Sequence, residues 1–283
     1  MSPSNSPQPF VEKLAASSEA NGSLLCIGLD PEPASMPPNM DVATFNRAIV
    51  EATSDLVCAY KPNLAFYEAL GMAGFQALRA TINCIPEHVP VIGDAKRGDV
   101  GHTARAYAKA MFEVWGFDAV TVHPYIGRDS IEPFAAYEDR GVLVICRTSN
   151  PGESDFQRLP VAGEGGSLPL YERVALAVRE WNTAGNLGLV VGATHPDELA
   201  RVRELCPELP ILIPGIGAQG GDLAASVRNG TDHHGRKAII SSSRQVLYAS
   251  AGSDFAAAAR QVALALRESM REALAARSSG ATP

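Results

Sequence analysis

Eight short apolar or β-branched runs recur along the chain, and helical spacing separates many of them. That rhythm restricts the fold more than any single motif. The runs are Leu24–Leu29, Leu56–Tyr60, Val89–Gly93, Ala119–Val122, Val142–Cys146, Leu187–Val191, Ile211–Pro214 and Ala238–Ile240. Between them Phe45–Leu56, Phe66–Ile85, Tyr171–Trp181 and Pro196–Cys206 carry apolar residues three and four apart. Strands joined through helices lie parallel in one sheet. Eight such units in 283 residues predict an α/β fold, a single (β/α)8 TIM barrel as one domain over 1–283. Disordered tails are expected at about 1–10 and 278–283, where Ser, Pro, Ala and Gly dominate.

Polar residues gather where the runs end. Asp30, Lys61, Asp94, His123, the Thr148-Ser149-Asn150 segment, Gln219 and Arg244 all fall at or just beyond the C-terminal end of a run. In a parallel barrel those ends share one face, and the active site is built there. The longest connector, from Asn150 to about Leu168, has glycines near both ends and reads equally as a lid over that face or as a surface insertion.

Composition removes several function classes. The 24 basic and 31 acidic residues sum to −7 with no long basic run, which argues against nucleic acid as a partner. No stretch approaches eighteen apolar residues and the first residues lack a signal-peptide pattern, so a cytoplasmic protein without membrane attachment is expected. Cys26, Cys58, Cys84, Cys146 and Cys206 are odd in number, scattered and mostly set in apolar runs, as small buried hydrophobes in a reducing compartment are. His233 and His234 are adjacent in a polar, Gly-flanked loop that would not turn both rings onto one ion, and no metal site is expected.

Two motifs carry chemistry. Asp94-Ala95-Lys96-Arg97-Gly98-Asp99 directly follows the third run. Side chains two apart on a strand share a face, so Asp94 and Lys96 set opposite charges side by side. Asp99 stands where a helix would begin, and there it either caps that helix or completes an alternating charged array suited to catalysis. The second motif, Gly215-Ile216-Gly217-Ala218-Gln219-Gly220, matches G-x-G-x-x-G after a strand. As a dinucleotide site it lacks an acidic residue at the tip of the next strand, which ends in Ser241-Ser242-Ser243-Arg244, and it lies in the seventh unit instead of the first. In a barrel the loops after the seventh and eighth strands form a phosphate site from backbone N–H groups and a helix N-terminus. Gln219 would add an amide donor and Arg244 a planar fork.

Taken together these segments resemble the orotidine 5'-phosphate decarboxylase family, in its longer bacterial branch. The likeness runs through Leu25-Cys26-Ile27-Gly28-Leu29-Asp30-Pro31, Tyr60-Lys61-Pro62-Asn63, Asp94 to Val100, Arg147-Thr148-Ser149-Asn150-Pro151, Pro214 to Asp222 and Ser243-Arg244. Asp-x-Lys-x-x-Asp alone is shared with a wider group of sugar-phosphate barrels; the combination is specific. The resemblance implies a carboxy-lyase that converts orotidine 5'-phosphate to uridine 5'-phosphate, the last step of de novo UMP biosynthesis, with no metal or cofactor. It implies that Lys61, Asp94, Lys96 and Asp99 form the charged array, with Asp99 entering the neighbour's site in a homodimer. Asp30 would hold the ribose hydroxyls, joined by Thr103 from the partner. Ser149 would read the pyrimidine edge, and Gln219, Ser243 and Arg244 would hold the phosphate. No Tyr closely follows Gln219, a departure from some relatives.

On this reading the Lys96 ammonium stabilises the charge that develops at C6 as CO₂ leaves, then protonates that carbon. The alternative is a related Mg²⁺-dependent decarboxylase or aldolase barrel acting on a sugar phosphate. Such relatives hold the ion with acidic residues that include one near the second strand exit, where this chain has the cation Lys61. A catalytically silent nucleotide-binding module is a further rival; it would have little reason to keep all four charges together.

Overall fold

The computed structural model describes residues 8–163, 166–217 and 220–278. Among the described residues eight parallel strands form the main sheet: β1 Leu25–Leu29, β2 Ala59–Pro62, β3 Ile92–Arg97, β4 Ala119–Val122, β5 Gly141–Arg147, β6 Leu187–Val191, β7 Ile211–Ile213 and β8 Ala238–Ser242. Their order is β2-β1-β8-β7-β6-β5-β4-β3. Bridges between Tyr60 and Val91 and between Asn63 and Asp94 join the two ends, so the sheet is a nearly closed (β/α)8 barrel, as the rhythm of the sequence predicts.

Strand periodicity sorts the side chains into layers. Cys26, Ala59, Ile92, Ala119, Leu143 and Ile239 belong to one buried cluster that fills the middle of the barrel. Their neighbours in sequence, such as Ile27, Tyr60, Val120, Val144 and Ile240, join the larger cluster between strands and helices. Successive residues of a strand point to opposite faces, which is why one sequence serves both layers. Burial pushes the Cys26 thiol up to about 12, so this barrel-filling cysteine stays neutral.

The N-terminal end of the barrel is plugged. Phe10 and Leu14, on the helix Phe10–Asn21, pack into the same inner cluster. Gly141 leaves room for them, since a Cβ there would lie 2.2 Å from the Phe10 ring. Lys13 of that helix donates to both oxygens of Asp118, at 2.8 and 2.9 Å, and Asp118 also accepts the Val91 N–H at 2.8 Å. Phe10, at the end of the tail expected at about 1–10, is therefore a core residue at 2% exposure. The rest of both expected tails lies outside the described residues, apart from Gln8, Pro9 and the helix end at Ser278.

Several boundaries differ from the sequence expectation for identifiable reasons. The second run begins at Leu56, yet β2 starts at Ala59, because the Leu56 N–H closes a turn onto the Thr53 carbonyl at 2.9 Å. The helical pattern Phe66–Ile85 becomes two helices, Leu64–Glu68 and Gly71–Cys84, broken where Gly71 takes a left-handed φ of 60°. The connector after β5 carries a 3₁₀ turn, Pro151–Asp155, and an antiparallel hairpin of Pro160–Gly163 with Gly166–Pro169. Among the described residues no helix is long and apolar enough to cross a membrane.

Candidate active site

One pleat above the barrel's inner layer, the same strand faces turn polar. Two residues on from Ala59, Ile92, Ala119, Leu143 and Ile239 stand Lys61, Asp94, Thr121, Ile145 and Ser241, and these floor a cleft of about 430 Å³ at the C-terminal ends of the strands. The two-residue step that fills the core therefore also delivers the charges, with no change of backbone direction.

Asp94 is the centre of the charged group. Its Oδ2 accepts from Lys61 Nζ at 3.0 Å, and its Oδ1 accepts from Lys96 Nζ at 2.6 Å and from Thr121 Oγ1 at 2.9 Å. Burial alone would raise the Asp94 carboxyl, but the two ammonium groups outweigh it and hold Asp94 well below the usual carboxylate range. Lys61 shows the mirror of this. Burial works against its charge, and Asp94 and Asp30 more than reverse that, leaving it above its ordinary value. Both members of the buried pair are thus ionised, and the side chain of Lys96, 54% exposed, faces the open cleft.

Lys96 does not simply continue the alternation that places Asp94. Its φ is +46°, and the β3–β4 register shifts between Gly93 and Arg97. A non-glycine residue in the left-handed region is held there by its surroundings, and a bulge re-aims its side chain. Thr121 is the surrounding group. Its Oγ1 accepts the Lys96 backbone N–H at 2.9 Å while donating to Asp94, so one hydroxyl fixes both partners. Thr121 is the residue that sequence reasoning missed. The Ala119-to-Thr121 step, matching Ile92-to-Asp94, was the available signal.

The other end of the cleft is built from β1, β7 and β8. Ser243 Oγ donates to Asp30 Oδ2 at 2.7 Å, a contact that requires glycine at 28, since a Cβ there would lie 1.8 Å from Ser243 Oγ. Asp30 Oδ1 is buried without a hydrogen-bond partner among the described residues and is available to a ligand hydroxyl. Gly215 and Gly217 sit at φ of 102° and 76°, where side chains are disfavoured, and shape the loop after β7. The helix after that loop, Leu223–Gly230, is capped by Asp222, which accepts the Ala225 N–H at 3.0 Å. One N–H of that helix start is thus taken by a carboxylate, and Gly215, Ser243 and Arg244 line this end of the cleft.

The cleft brings together Asp30, Lys61, Asp94, Lys96, Ser149, Ser243 and Arg244. Asp99 and Thr103 are not among its lining residues. Asp99 does not cap the helix Gly101–Lys109 either; its Oδ1 accepts the Val100 N–H at 2.7 Å, one residue before that helix starts. Gln219 lies outside the described residues. His123, another polar strand exit, packs its ring against Gly98, where a Cβ would come within 2.5 Å of it.

Residues 23–262 match the Orotidine 5'-phosphate decarboxylase / HUMPS family. The chain belongs to that family. It is 51% identical over 261 residues to the orotidine 5'-phosphate decarboxylase of Dehalococcoides mccartyi, covering 92% of this chain and 97% of that protein. It is 54% identical over 267 residues to that of Thermomicrobium roseum, covering 92% and 94%. Among solved structures, the OMP decarboxylase of Leishmania donovani superposes with a TM-score of 0.81 at 39% identity, over 94% of this chain and 98% of that one. The decarboxylase family and the barrel named from sequence are thus both found. The Asp94–Lys96 pair of this family member sits in its barrel cleft, the place where a barrel of this kind works.

Proposed function

We propose that the chain decarboxylates orotidine 5'-phosphate to uridine 5'-phosphate. The observation that carries this is the pairing of both Asp94 oxygens with Lys61 and Lys96 at one end of a cleft whose other end presents Ser243 and Arg244. The substrate is an anion at both ends, a ring carboxylate and a phosphate, and the cleft offers a cation to each. The C6–CO₂ bond breaks with its electron pair left on C6, in an orbital the ring does not delocalise. Lys96 Nζ stabilises that charge and delivers a proton to C6, and water then restores the ammonium. Asp94 holds Lys96 charged and in place beforehand, so little reorganisation is left for the reacting step. Asp30 receives the ribose hydroxyls, Ser149 meets the pyrimidine edge, and Ser243, Arg244 and Gln219 hold the phosphate.

A Mg²⁺-dependent sugar-phosphate reaction is disfavoured by the donor set. Both oxygens of Asp94 already accept from ammonium groups, and a divalent ion beside Lys61 and Lys96 would meet two positive charges. Purified protein supplied with orotidine 5'-phosphate should release CO₂ and form uridine 5'-phosphate in the presence of a chelator. Inactivity on that substrate, or activity abolished by chelation and restored by Mg²⁺, would overturn the reading. A silent binding module would show no product even in a single turnover.

Asp99 and Thr103 are assigned to the partner's site in a cytoplasmic homodimer of single-domain chains. Supporting this, both lie outside their own cleft on a segment that also exposes apolar surface at Val100. Inactive Asp99→Ala and Lys96→Ala dimers, mixed under subunit exchange, should regain activity at roughly one site in four, the share expected when half the dimers are mixed and each holds one intact site. No recovery in verified mixed dimers would place Asp99 in its own subunit.

A further inference from the structure

The connector after β5 reaches back to the cleft through Gln157. Gln157 Oε1 accepts the Thr148 backbone N–H at 2.8 Å, and Gln157 Nε2 donates to Thr148 Oγ1 at 2.7 Å. Thr148 Oγ1 donates in turn to Asn150 Oδ1 at 2.6 Å. The residues on either side of Ser149 are thereby tied into one hydrogen-bonded chain that starts on the connector. Ser149 is also confined from just beyond β6, because Gly192 leaves only enough room for it: a Cβ there would lie 2.8 Å from the Ser149 Cβ.

Arg147 explains why Gln157 is held in that place. It is fully buried at the end of β5, and its Nη1 donates to the Thr148 carbonyl at 3.0 Å and to Gln157 Oε1 at 3.3 Å. The same guanidinium pairs with Glu153, on the 3₁₀ turn of the connector, at 2.6 Å, and with Glu198 of the helix Pro196–Leu205. Separating a buried guanidinium from its carboxylates is costly, so the turn is anchored to the barrel and Gln157 is carried over Thr148.

We propose that Gln157 is a positioning residue that sets Ser149 against the pyrimidine edge, so that recognition of the base, but not of the ribose phosphate, depends on the docked connector. The proposal rests on the reading above in which Ser149 meets the base. The amide is the required chemistry because it accepts and donates at once. The Thr148 N–H needs an acceptor, and the Thr148 hydroxyl, already donating to Asn150, needs a donor. A glutamate at 157 keeps the first bond and loses the second, leaving two acceptors for one hydroxyl hydrogen.

The test compares affinities for uridine 5'-phosphate and for ribose 5-phosphate in the wild type, Gln157→Glu, Gln157→Ala and Ser149→Ala. Both Gln157 variants should weaken uridine 5'-phosphate by about tenfold, the size of one well-placed hydrogen-bond contribution, and leave ribose 5-phosphate unchanged. KM for orotidine 5'-phosphate should rise by a similar factor with a smaller change in kcat. Gln157 is half-buried on a surface connector, so both variants should fold with unaltered melting. Unchanged uridine 5'-phosphate affinity, or equal loss for the two ligands, overturns the proposal. If Ser149→Ala lowers the ratio of the two affinities while the Gln157 variants do not, the proposal alone fails. If Ser149→Ala leaves the ratio unchanged, the Ser149 reading fails and takes this one with it.

Discussion

Two lysine–aspartate clusters stand at opposite ends of the barrel, and their lysines are covered to different degrees. At the N-terminal end Asp118 accepts from Lys13 and from the Val91 N–H, with Arg140 a second cation at 3.8 Å. Both side chains are mostly covered, at 16% and 14% exposure. At the C-terminal end a single carboxylate, Asp94, lies between Lys61 and Lys96, and the second lysine is half exposed. The first cluster has its needs met within the protein and closes a plug. The second turns one ammonium, on Lys96, toward an open cleft, where a ligand can reach it. Exposure of the lysine therefore separates an ion pair that holds the fold from one arranged for chemistry, where distance alone would not.

The comparison breaks most decisively at Lys96. Lys96→Ala should lower turnover about a thousandfold or more, as removal of one preorganised charged donor does, while uridine 5'-phosphate binding stays measurable. Stability should hardly change, because the side chain is half exposed and Asp94 keeps Lys61 and Thr121. Near-normal turnover would remove Lys96 as the proton donor.

Asp94→Asn should cost both activity and stability. It takes from the buried Lys61 ammonium its nearest counter-charge, a change worth about 3–5 kcal/mol in denaturant unfolding by the usual cost of breaking a buried pair. The pH dependence has a definite sign. Asp94 is depressed in the folded protein, so its contribution is present above the ordinary carboxylate value of 3.8 and is lost as pH falls through its lower folded value. Lys61 is raised, so its contribution is complete below 10.5 and is lost only above that. Across the neutral range the pair should not titrate, and a profile of kcat/KM showing an Asp94 ionisation near neutrality would contradict the array.

Arg244 should give a more selective loss. Arg244→Ala should lower kcat/KM for the phosphorylated substrate by about ten- to a hundredfold, the span of a charge-assisted contact, and should hardly touch the nucleoside without phosphate. Equal effects on both would place Arg244 outside the phosphate end.

The two clusters also differ in how far they could be read from the sequence. Asp94, Lys96 and the polar strand exits were legible because period-two alternation and a parallel barrel bring strand ends to one face. Thr121 carries the same two-residue signal but hides it, because within Ala119-Val120-Thr121-Val122 a β-branched residue looks like strand core. The left-handed backbone of Lys96 was invisible too, since it depends on a Thr121 contact from the neighbouring strand. The plug was missed altogether. Phe10–Asn21 follows a Ser- and Pro-rich start that reads as tail, and only the open end of a finished barrel gives Phe10 and Leu14 somewhere to go. Gln157 escaped notice for the same reason, as a polar residue on a connector whose partners come from the end of β5.

The smallest expected effect sharpens the comparison from the plugged end. Lys13→Met keeps the aliphatic stem that lies along the barrel base and removes only the ammonium. Asp118 retains the Val91 N–H and stands near Arg140, so the carboxylate is not stranded. Denaturant unfolding should show a loss of about 1 kcal/mol, the upper part of the range for a pair with some solvent access. kcat and KM, measured per folded molecule, should match the wild type, because the inner layer of Ala59, Ile92 and Ala119 separates this pair from the cleft floor. A fall in kcat beyond the folded fraction would mean that the plug sets the height of β3 and β4, and with them Asp94 and Thr121. The two ends would then be one mechanical unit, and the exposure of their lysines would no longer be enough to tell their roles apart.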